Sequence, residues 1–121
     1  MITTIHHIAL IVTSENSISF YEQLGFTETF RKNREYDTVV LMESFGIELE
    51  IFIDSRHPSH SEGIDEPIGL RHFALKVDNI ERTLEELKLD EKDIGSIKTD
   101  WIGVRYCYIK DPDGLTVELH E

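Results

Sequence analysis

Two short segments of the chain share one pattern of apolar and polar positions. The first is I-H-H-I-A-L-I-V at 5–12 and the second is L-R-H-F-A-L-K-V at 70–77. Both are rich in strand-forming residues, and alternate side chains of a strand point to opposite faces. Aligning His7 with His72 also aligns the A-L-x-V that follows each histidine. The pattern predicts a repeated unit that opens with a strand.

A helix is predicted after each of these strands. Thr13 and Ser14 are suitable N-caps for the first helix, and Gly25 is a suitable C-terminal stop. For the second helix, Asp78 followed three residues later by Glu81 forms a capping-box pattern.

Three further strands are predicted in each half. In the first half they lie near 26–32, 37–43 and 47–53, and in the second near 94–99, 104–110 and 115–120. Turn residues separate the last two strands of each half, most clearly D-P-D-G at 111–114. The chain therefore predicts an α+β fold of two βαβββ modules, at about 1–53 and 70–121, joined by a linker at 54–69.

Composition narrows the function classes. The 121 residues suit a single domain. With 12 basic and 24 acidic residues the net charge is −12, which argues against a nucleic-acid partner. No basic amphipathic helix, long apolar run or signal peptide is present, so we expect no membrane partner and a cytoplasmic protein. Cys107 is the only cysteine and is expected to be a small core residue.

One histidine and one glutamate recur in each half, on the first and last predicted strands. His72 follows His7 by 65 residues, and Glu118 follows Glu50 by 68. The positions that directly follow the two histidines are apolar, as are those on both sides of the two glutamates, so strand alternation turns these polar groups to the face that the helices do not cover. Two imidazoles and two carboxylates balance the charge of a divalent ion. The sequence predicts one Ni, Co, Zn, Mn or Fe site built from these four residues.

Several alternatives remain beside this prediction. His6 competes with His7, although strand alternation favours His7. Glu48 lies on the same face as Glu50, so alternation does not separate the two. His120 shares the face of Glu118 and could donate a hydrogen bond to that glutamate or act as a spare metal ligand, although a solvated terminal residue is favoured. His57 and His60 lie in the linker, where a solvated loop is favoured over a ligand-contacting lid.

The chain resembles the vicinal oxygen chelate superfamily, also called glyoxalase/bleomycin resistance/dioxygenase. The resemblance rests on the two H-x-A-L-x-V strands, F-Y-E-Q-L-G-F at 20–26 and D-P-D-G-L-T-V-E-L at 111–119, and spans nearly the whole chain. It implies that the two modules form a cup-shaped mixed sheet around the metal, with the helices outside. The glyoxalase I branch implies the ligands His7, Glu50, His72 and Glu118.

That branch implies a lyase or isomerase acting on a thiol adduct of a 2-oxoaldehyde, by proton transfer through a metal-bound enediolate. A metal-site glutamate, Glu118 or Glu50, is then the catalytic base. Relatives of this branch also imply a homodimer whose modules pair within a chain or are exchanged across a two-fold axis. Unlike lactoylglutathione lyases, the sequence has no evident basic cluster for glutathione carboxylates; Arg105 and Lys110 are the nearest candidates.

Other functions of the same fold remain open. One is a different metal enzyme, such as a thiol transferase acting on an epoxide antibiotic, an acyl-CoA epimerase or a dioxygenase. Another is a non-catalytic drug-binding protein. A dioxygenase ranks lower, because a fourth protein ligand crowds the two-histidine, one-carboxylate iron site that this chemistry uses.

Overall fold

The computed structural model describes residues 1–57 and 69–121, which fall into two compact units, Met1–Pro58 and Ser59–Glu121. Each unit contains one four-stranded mixed sheet and one α-helix in the order predicted for a βαβββ module. The predicted α+β fold of two such modules is confirmed. His60 and most of the predicted linker lie outside the described residues.

The first unit contains four strands and one helix. They are β1 (Ile8–Val12), α1 (Glu15–Gln23), β2 (Thr27–Asn33), β3 (Thr38–Ser44) and β4 (Ile47–Ile53). The strands follow the order β1-β4-β3-β2, with β1 parallel to β4 and the other neighbours antiparallel. The first strand of the module therefore lies beside the last, although the two are distant in sequence.

Local signals set the ends of α1 and of the β3–β4 hairpin. The Ser14 side chain caps α1 by accepting the main-chain N–H of Asn16, and Gly25 follows the helix with a positive φ. The hairpin turns through Phe45 and Gly46, both with positive φ, as a two-residue turn between twisted strands requires.

The second unit repeats this topology. Its elements are β5 (Phe73–Lys76), α2 (Ile80–Glu86), a 3₁₀ helix (Glu91–Asp93), β6 (Lys98–Thr99), β7 (Arg105–Lys110) and β8 (Thr116–His120). The strand order is β5-β8-β7-β6, again with the first strand parallel to the last. In the ranges that the structure describes, neither α-helix has the length and apolarity needed to cross a membrane.

Two local details of the second unit differ from the prediction. The N-cap of α2 is Asn79, whose side chain accepts the N–H of Arg82, so the expected cap at Asp78 is wrong by one residue. The strand expected at 94–99 is regular only over Lys98–Thr99. Before this strand, Gly95 donates its N–H to the carbonyl of Tyr108. A β-carbon at position 95 would lie only 3.1 Å from that carbonyl oxygen, so the position favours glycine. This hydrogen bond to β7 stands in place of the regular strand pairing that was expected there.

The core of each unit lies on one face of its sheet. In the first unit the fully buried side chains include those of Tyr21 on α1, Val40 and Met42 on β3, and Leu49 and Ile51 on β4. The second unit buries Ile80, Cys107, Ile109, Val117 and Leu119. Cys107 is thus a core residue, as expected. On β4 and β8 the buried positions alternate with glutamates, so the opposite face of each sheet carries the carboxylates.

Candidate metal centre

The first unit brings His7 and Glu50 together. His7 directly precedes β1, and Ala9 two residues later pairs with Glu50 on the parallel strand β4. His7 Nε2 lies 4.0 Å from Glu50 Oε1, with both side chains about one third exposed (37% and 30%). The parallel pairing of β1 with β4 therefore creates a histidine–carboxylate pair that opens to solvent.

The second unit repeats this pair in the same register. Ala74 on β5 pairs with Glu118 on β8, and His72 lies two residues before Ala74. His72 Nε2 lies 3.7 Å from Glu118 Oε1. These side chains are more enclosed, at 20% and 14% exposed. Each module thus presents one imidazole nitrogen facing one carboxylate oxygen, from equivalent positions of equivalent strands.

A second histidine–glutamate pair lies beside the first in unit 1. His6 Nδ1 is 3.7 Å from Glu48 Oε2 and 2.9 Å from His7 Nδ1. Ligand atoms of His6, His7 and Glu48 all lie within 4.8 Å of one another. The alternatives left open by the sequence, His6 and Glu48, are therefore also neighbours. The pair that matches unit 2 in strand register is His7 with Glu50.

Unit 2 surrounds its pair with polar groups. Nδ1 of His120 lies 3.2 Å from Glu118 Oε2, so imidazoles approach both oxygens of this carboxylate. Tyr108 pairs with Glu118 across β7 and β8, and its ring lies 5.4 Å from that of His72. Arg71 donates from Nη1 to the Tyr108 hydroxyl at 3.0 Å. The sequence favoured a solvated terminal residue at His120, whereas the structure shows its side chain in contact with Glu118.

In unit 1 an apolar side chain takes the place of His120. Phe52, two residues after Glu50, occupies the position that His120 occupies after Glu118. A surface cavity of about 330 Å³ adjoins it, lined by Ala9, Ile11, Asp37, Phe52, Asp54 and His57. The cavity lining therefore combines apolar side chains with two carboxylates and one imidazole, a mixture that suits a small ligand.

Two arginines bind the two carboxylates that line this cavity. Arg34 donates from Nε and Nη2 to the two carboxylate oxygens of Asp37, both at 2.6 Å, and its guanidinium lies 5.5 Å from the centre of the Phe52 ring. Arg56 binds Asp54 in the same two-pronged way, at 2.8 and 2.7 Å. Each arginine is held by a pair of hydrogen bonds from Nε and Nη2, and its Nη1 lies outside that pair.

The charges of this group perturb one another. Hydrogen bonds from Arg56 hold the pKa of Asp54 well below its usual range, and Asp54 is only 5% exposed. Hydrogen bonding to Asp37, with a smaller contribution from Glu50, raises the pKa of Arg34. His57 Nε2 lies 3.2 Å from Asp54, so the solvated loop expected at His57 carries a definite contact.

Arg34 is a cation that the sequence interpretation missed. Arg105 instead pairs with Glu81 and Glu121, and Lys110 donates to the Thr116 hydroxyl at 2.6 Å. The signal available in the sequence was the R-x-x-D spacing of Arg34 and Asp37 across the β2–β3 turn. That spacing is common on surfaces and by itself points to no ligand.

Comparisons with known proteins identify the family. The family model described as "Glyoxalase/Bleomycin resistance protein/Dioxygenase superfamily" matches residues 4–119. The chain is 36% identical to "Uncharacterized protein YwkD" of Bacillus subtilis (strain 168), covering 100% of this chain and 98% of that protein. The crystal structure of a glyoxalase family protein from Enterococcus faecalis is similar with a TM-score of 0.86 at 34% identity, covering 98% of this chain and 97% of that one.

A more distant structure has the same fold with a metal bound. It is a variant of FosX, a fosfomycin resistance protein from Listeria monocytogenes, complexed with Mn(II) and 1S,2S-dihydroxypropylphosphonic acid. The TM-score is 0.73 at 20% identity, covering 99% of this chain and 93% of that one. The matched span of the family model and the full-length similarity to YwkD lead to one conclusion: the chain belongs to the glyoxalase/bleomycin resistance protein/dioxygenase superfamily.

Proposed function

We propose that His7, Glu50, His72 and Glu118 together bind one divalent metal ion. The observation that carries this proposal is the recurrence of a histidine–glutamate pair in the same strand register of both modules. Two donor atoms that each lie about 2.1 Å from one ion are about 3.0 Å apart when the donor–ion–donor angle is about 90°, and about 4.2 Å apart when they lie on opposite sides of the ion. The N–O distances of 4.0 and 3.7 Å lie within that range.

The donor set also fits the charge and the preferences of the ion. Two neutral imidazoles and two carboxylates neutralise a divalent cation. Nitrogen and oxygen donors suit Ni, Co, Zn, Mn or ferrous iron. With these four residues as ligands, the ion would still have room to bind a substrate oxygen. Relatives of this fold such as FosX bind Mn(II), which supports the proposal without fixing the metal.

We propose a lyase or isomerase of the glyoxalase I type, acting on a small thiol adduct of a 2-oxoaldehyde. The metal, when bound, supplies a Lewis acid that stabilises negative charge on neighbouring oxygens of the substrate. Glu118 or Glu50 removes the proton from one carbon and returns it to the next. Glu118 is the more enclosed of the two, which limits exchange of that proton with water. His120 Nδ1, 3.2 Å from Glu118 Oε2, is placed to hold this carboxylate in position.

The test starts with metal-free full-length protein. It is reconstituted with Ni, Co, Zn or Mn and supplied with methylglyoxal together with a panel of low-molecular-weight thiols. We expect about one ion per set of four ligands and turnover of at least one adduct. Glu118→Gln should abolish turnover, whereas Glu22→Gln, an exposed carboxylate on α1, should leave it unchanged. No turnover with any metal and thiol would contradict the glyoxalase reaction, and metal-independent ligand binding would favour a drug-binding protein.

A second candidate reaction is the opening of an epoxide antibiotic. Arg34 favours it, because its guanidinium is held over the ring of Phe52 and the charge of Glu50 contributes to its raised pKa. A fixed guanidinium near Glu50 suits an anionic phosphonate. Addition of fosfomycin to the same metal and thiol panel distinguishes the two reactions. Loss of fosfomycin with no change in methylglyoxal adducts would select this candidate.

We also propose that the protein is a homodimer. Members of this superfamily often form dimers, and a four-ligand site requires the two modules to pair, either within one chain or by exchange across a two-fold axis. Mixing His7→Ala with His72→Ala protein separates the two arrangements. Exchange predicts that mixed dimers regain one intact site, whereas pairing within a chain predicts none. A monomer by sedimentation would contradict exchange.

A further inference from the structure

The strongest unexplained feature lies beside the proposed centre, on the His6 side of unit 1. One ligand atom from each of His6, His7 and Glu48 lies within 4.8 Å of the other two. Two imidazoles and one carboxylate suit the divalent transition metals, whereas Ca²⁺ and Mg²⁺ prefer oxygen donors alone. We propose that His6, His7 and Glu48 form a second, solvent-facing transition-metal site that shares His7 with the proposed four-ligand centre.

Two of the three donor separations are close to those found around one ion. Donors at about 2.1 Å from an ion and at angles of 90–110° lie about 3.0–3.4 Å apart. His6 Nδ1 is 2.9 Å from His7 Nδ1 and 3.7 Å from Glu48 Oε2. The side chain of Glu48 is held on β4 and only 20% exposed, whereas that of His6 is 83% exposed. A movement of the exposed His6 side chain can therefore shorten its separation from Glu48, and the ligand atoms of His7 and Glu48 lie within 4.8 Å of each other.

The charges around Glu48 independently favour a cation. Glu43 on β3 pairs directly with Glu48 on β4, so two carboxylates project from opposite positions of neighbouring strands. Like charges in that arrangement destabilise a sheet. Glu50 adds a third carboxylate on the same face, two residues along β4. An ion at Glu48 would reduce this repulsion.

Access to the outer site is open. His6, Glu43 and Glu48 line a surface groove of about 450 Å³ that also contains the turn at Phe45 and Gly46. A hydrated ion enters such a groove without any opening of the fold. The outer site uses only residues of unit 1, so its existence does not depend on the proposed function.

Sharing His7 makes the two sites exclude each other. His7 Nε2 faces Glu50, whereas its Nδ1 faces His6. A neutral imidazole has one nitrogen with a free lone pair, and the other carries the proton. When Nδ1 binds the outer ion, Nε2 keeps its proton and is no longer a ligand of the inner centre. An ion at the outer site therefore competes with an ion at the four-ligand centre.

Cobalt titration of metal-free full-length protein tests the outer site. His72→Ala removes one ligand of the inner centre and leaves unit 1 intact. We expect His72→Ala to bind one Co²⁺ per chain. Adding His6→Ala or Glu48→Gln in that background should weaken binding about ten-fold or more. The matched control, Glu22→Gln in the same background, should leave the affinity unchanged. Nitrogen NMR with Zn²⁺ should show the Nδ1 signals of His6 and His7 shifting in His72→Ala.

The outcomes separate this proposal from the four-ligand centre. Complete loss of Co²⁺ binding in His72→Ala would overturn the outer site and support the four-ligand centre. Residual binding that is unaffected by His6→Ala would also overturn the outer site. If His72→Ala binds as tightly as the natural chain and His6→Ala removes that binding, the outer site is supported and the four-ligand centre is contradicted.

Discussion

Asp111 is expected to hold the turn that positions β8, and with it Glu118. It is buried, with 2% of its surface exposed, between β7 and β8. Its Oδ1 accepts the main-chain N–H groups of Asp113 at 2.9 Å and Leu115 at 2.8 Å. Its main chain also exchanges bonds with the turn, because its N–H donates to the carbonyl of Leu115 and its carbonyl accepts from Gly114. Replacing the side chain removes the acceptor but leaves the main-chain bonds possible.

The two side-chain bonds set the size of the effect. A hydrogen bond to a charged group contributes about 1.5–3 kcal/mol, and donors in a turn regain part of this from water. Asp111→Ala should therefore lower the free energy of unfolding by about 2–4 kcal/mol. Asp111→Asn keeps an oxygen acceptor and loses only its charge, so we expect a loss of about 1 kcal/mol. For a chain of 121 residues the larger loss lowers the melting temperature by about 8–16 °C.

Urea unfolding followed by circular dichroism measures these differences, with a chelator present so that metal binding adds no stability. Glu22→Gln on α1 is the surface control. The role assigned to Asp111 is contradicted if the free energy of unfolding of Asp111→Ala lies within about 0.5 kcal/mol of that of the natural chain, or if Asp111→Asn is as destabilising as Asp111→Ala. Should the alanine variant fail to fold, the asparagine variant alone still discriminates, since loss of charge without loss of the acceptor predicts a folded protein.

Three further predictions concern single side chains. Arg56 depresses the pKa of Asp54 in the folded state, so the stabilisation that Asp54 contributes is present above its unfolded pKa of about 4 and is lost as the pH falls below it. Urea titrations should show the stability difference between Asp54→Asn and the natural chain constant from pH 5 to 8 and shrinking toward pH 3; a constant difference would contradict this. Asn79→Ala should lower the free energy of unfolding by about 1 kcal/mol through loss of the α2 cap, and Asp78→Ala should lower it less. A larger loss in Asp78→Ala would instead support Asp78 as the cap, as the sequence predicted. Burial raises the pKa of Cys107, so a disulfide reagent should modify it only after guanidinium is added, and rapid reaction of the folded protein would show that the thiol is accessible.

The sequence predicted those features that depend on local pattern. Alternation along β4 and β8 assigned Leu49 and Val117 to the core and the glutamates to the other face, and both assignments hold. The end of α1 at Gly25 was predictable because one residue type decides there, whereas its N-cap was narrowed to Thr13 or Ser14 and is Ser14. The error at Asp78 arose because Asp and Asn are both good N-caps and stand side by side at 78 and 79. The length of the loop before α2, which the sequence does not fix to one residue, decides which of them begins the helix.

Features that depend on pairing between distant strands were harder to predict. Nothing in the β2–β3 turn shows that Arg34 folds over Phe52, a residue of β4. The same applies to the choice between Glu48 and Glu50, since residues two apart on a strand share a face. The strand pairing supplies this information, because Ala9 pairs with Glu50 as Ala74 pairs with Glu118. Glu50, and not Glu48, is therefore the residue of the first module that is equivalent to Glu118.

The equivalence of the modules stops at the residues around the two pairs, and this difference bears on function. A repeat that served only folding would need matching core positions, and Leu10 and Leu49 of unit 1 are buried as such positions require. A histidine–carboxylate pair on the uncovered face contributes nothing to that core, yet it recurs in register. Around it, unit 2 places His120 where unit 1 has Phe52. Matching pairs with unlike surroundings fit the proposed four-ligand centre, in which both modules would supply metal ligands and the two ends of the substrate would meet different side chains.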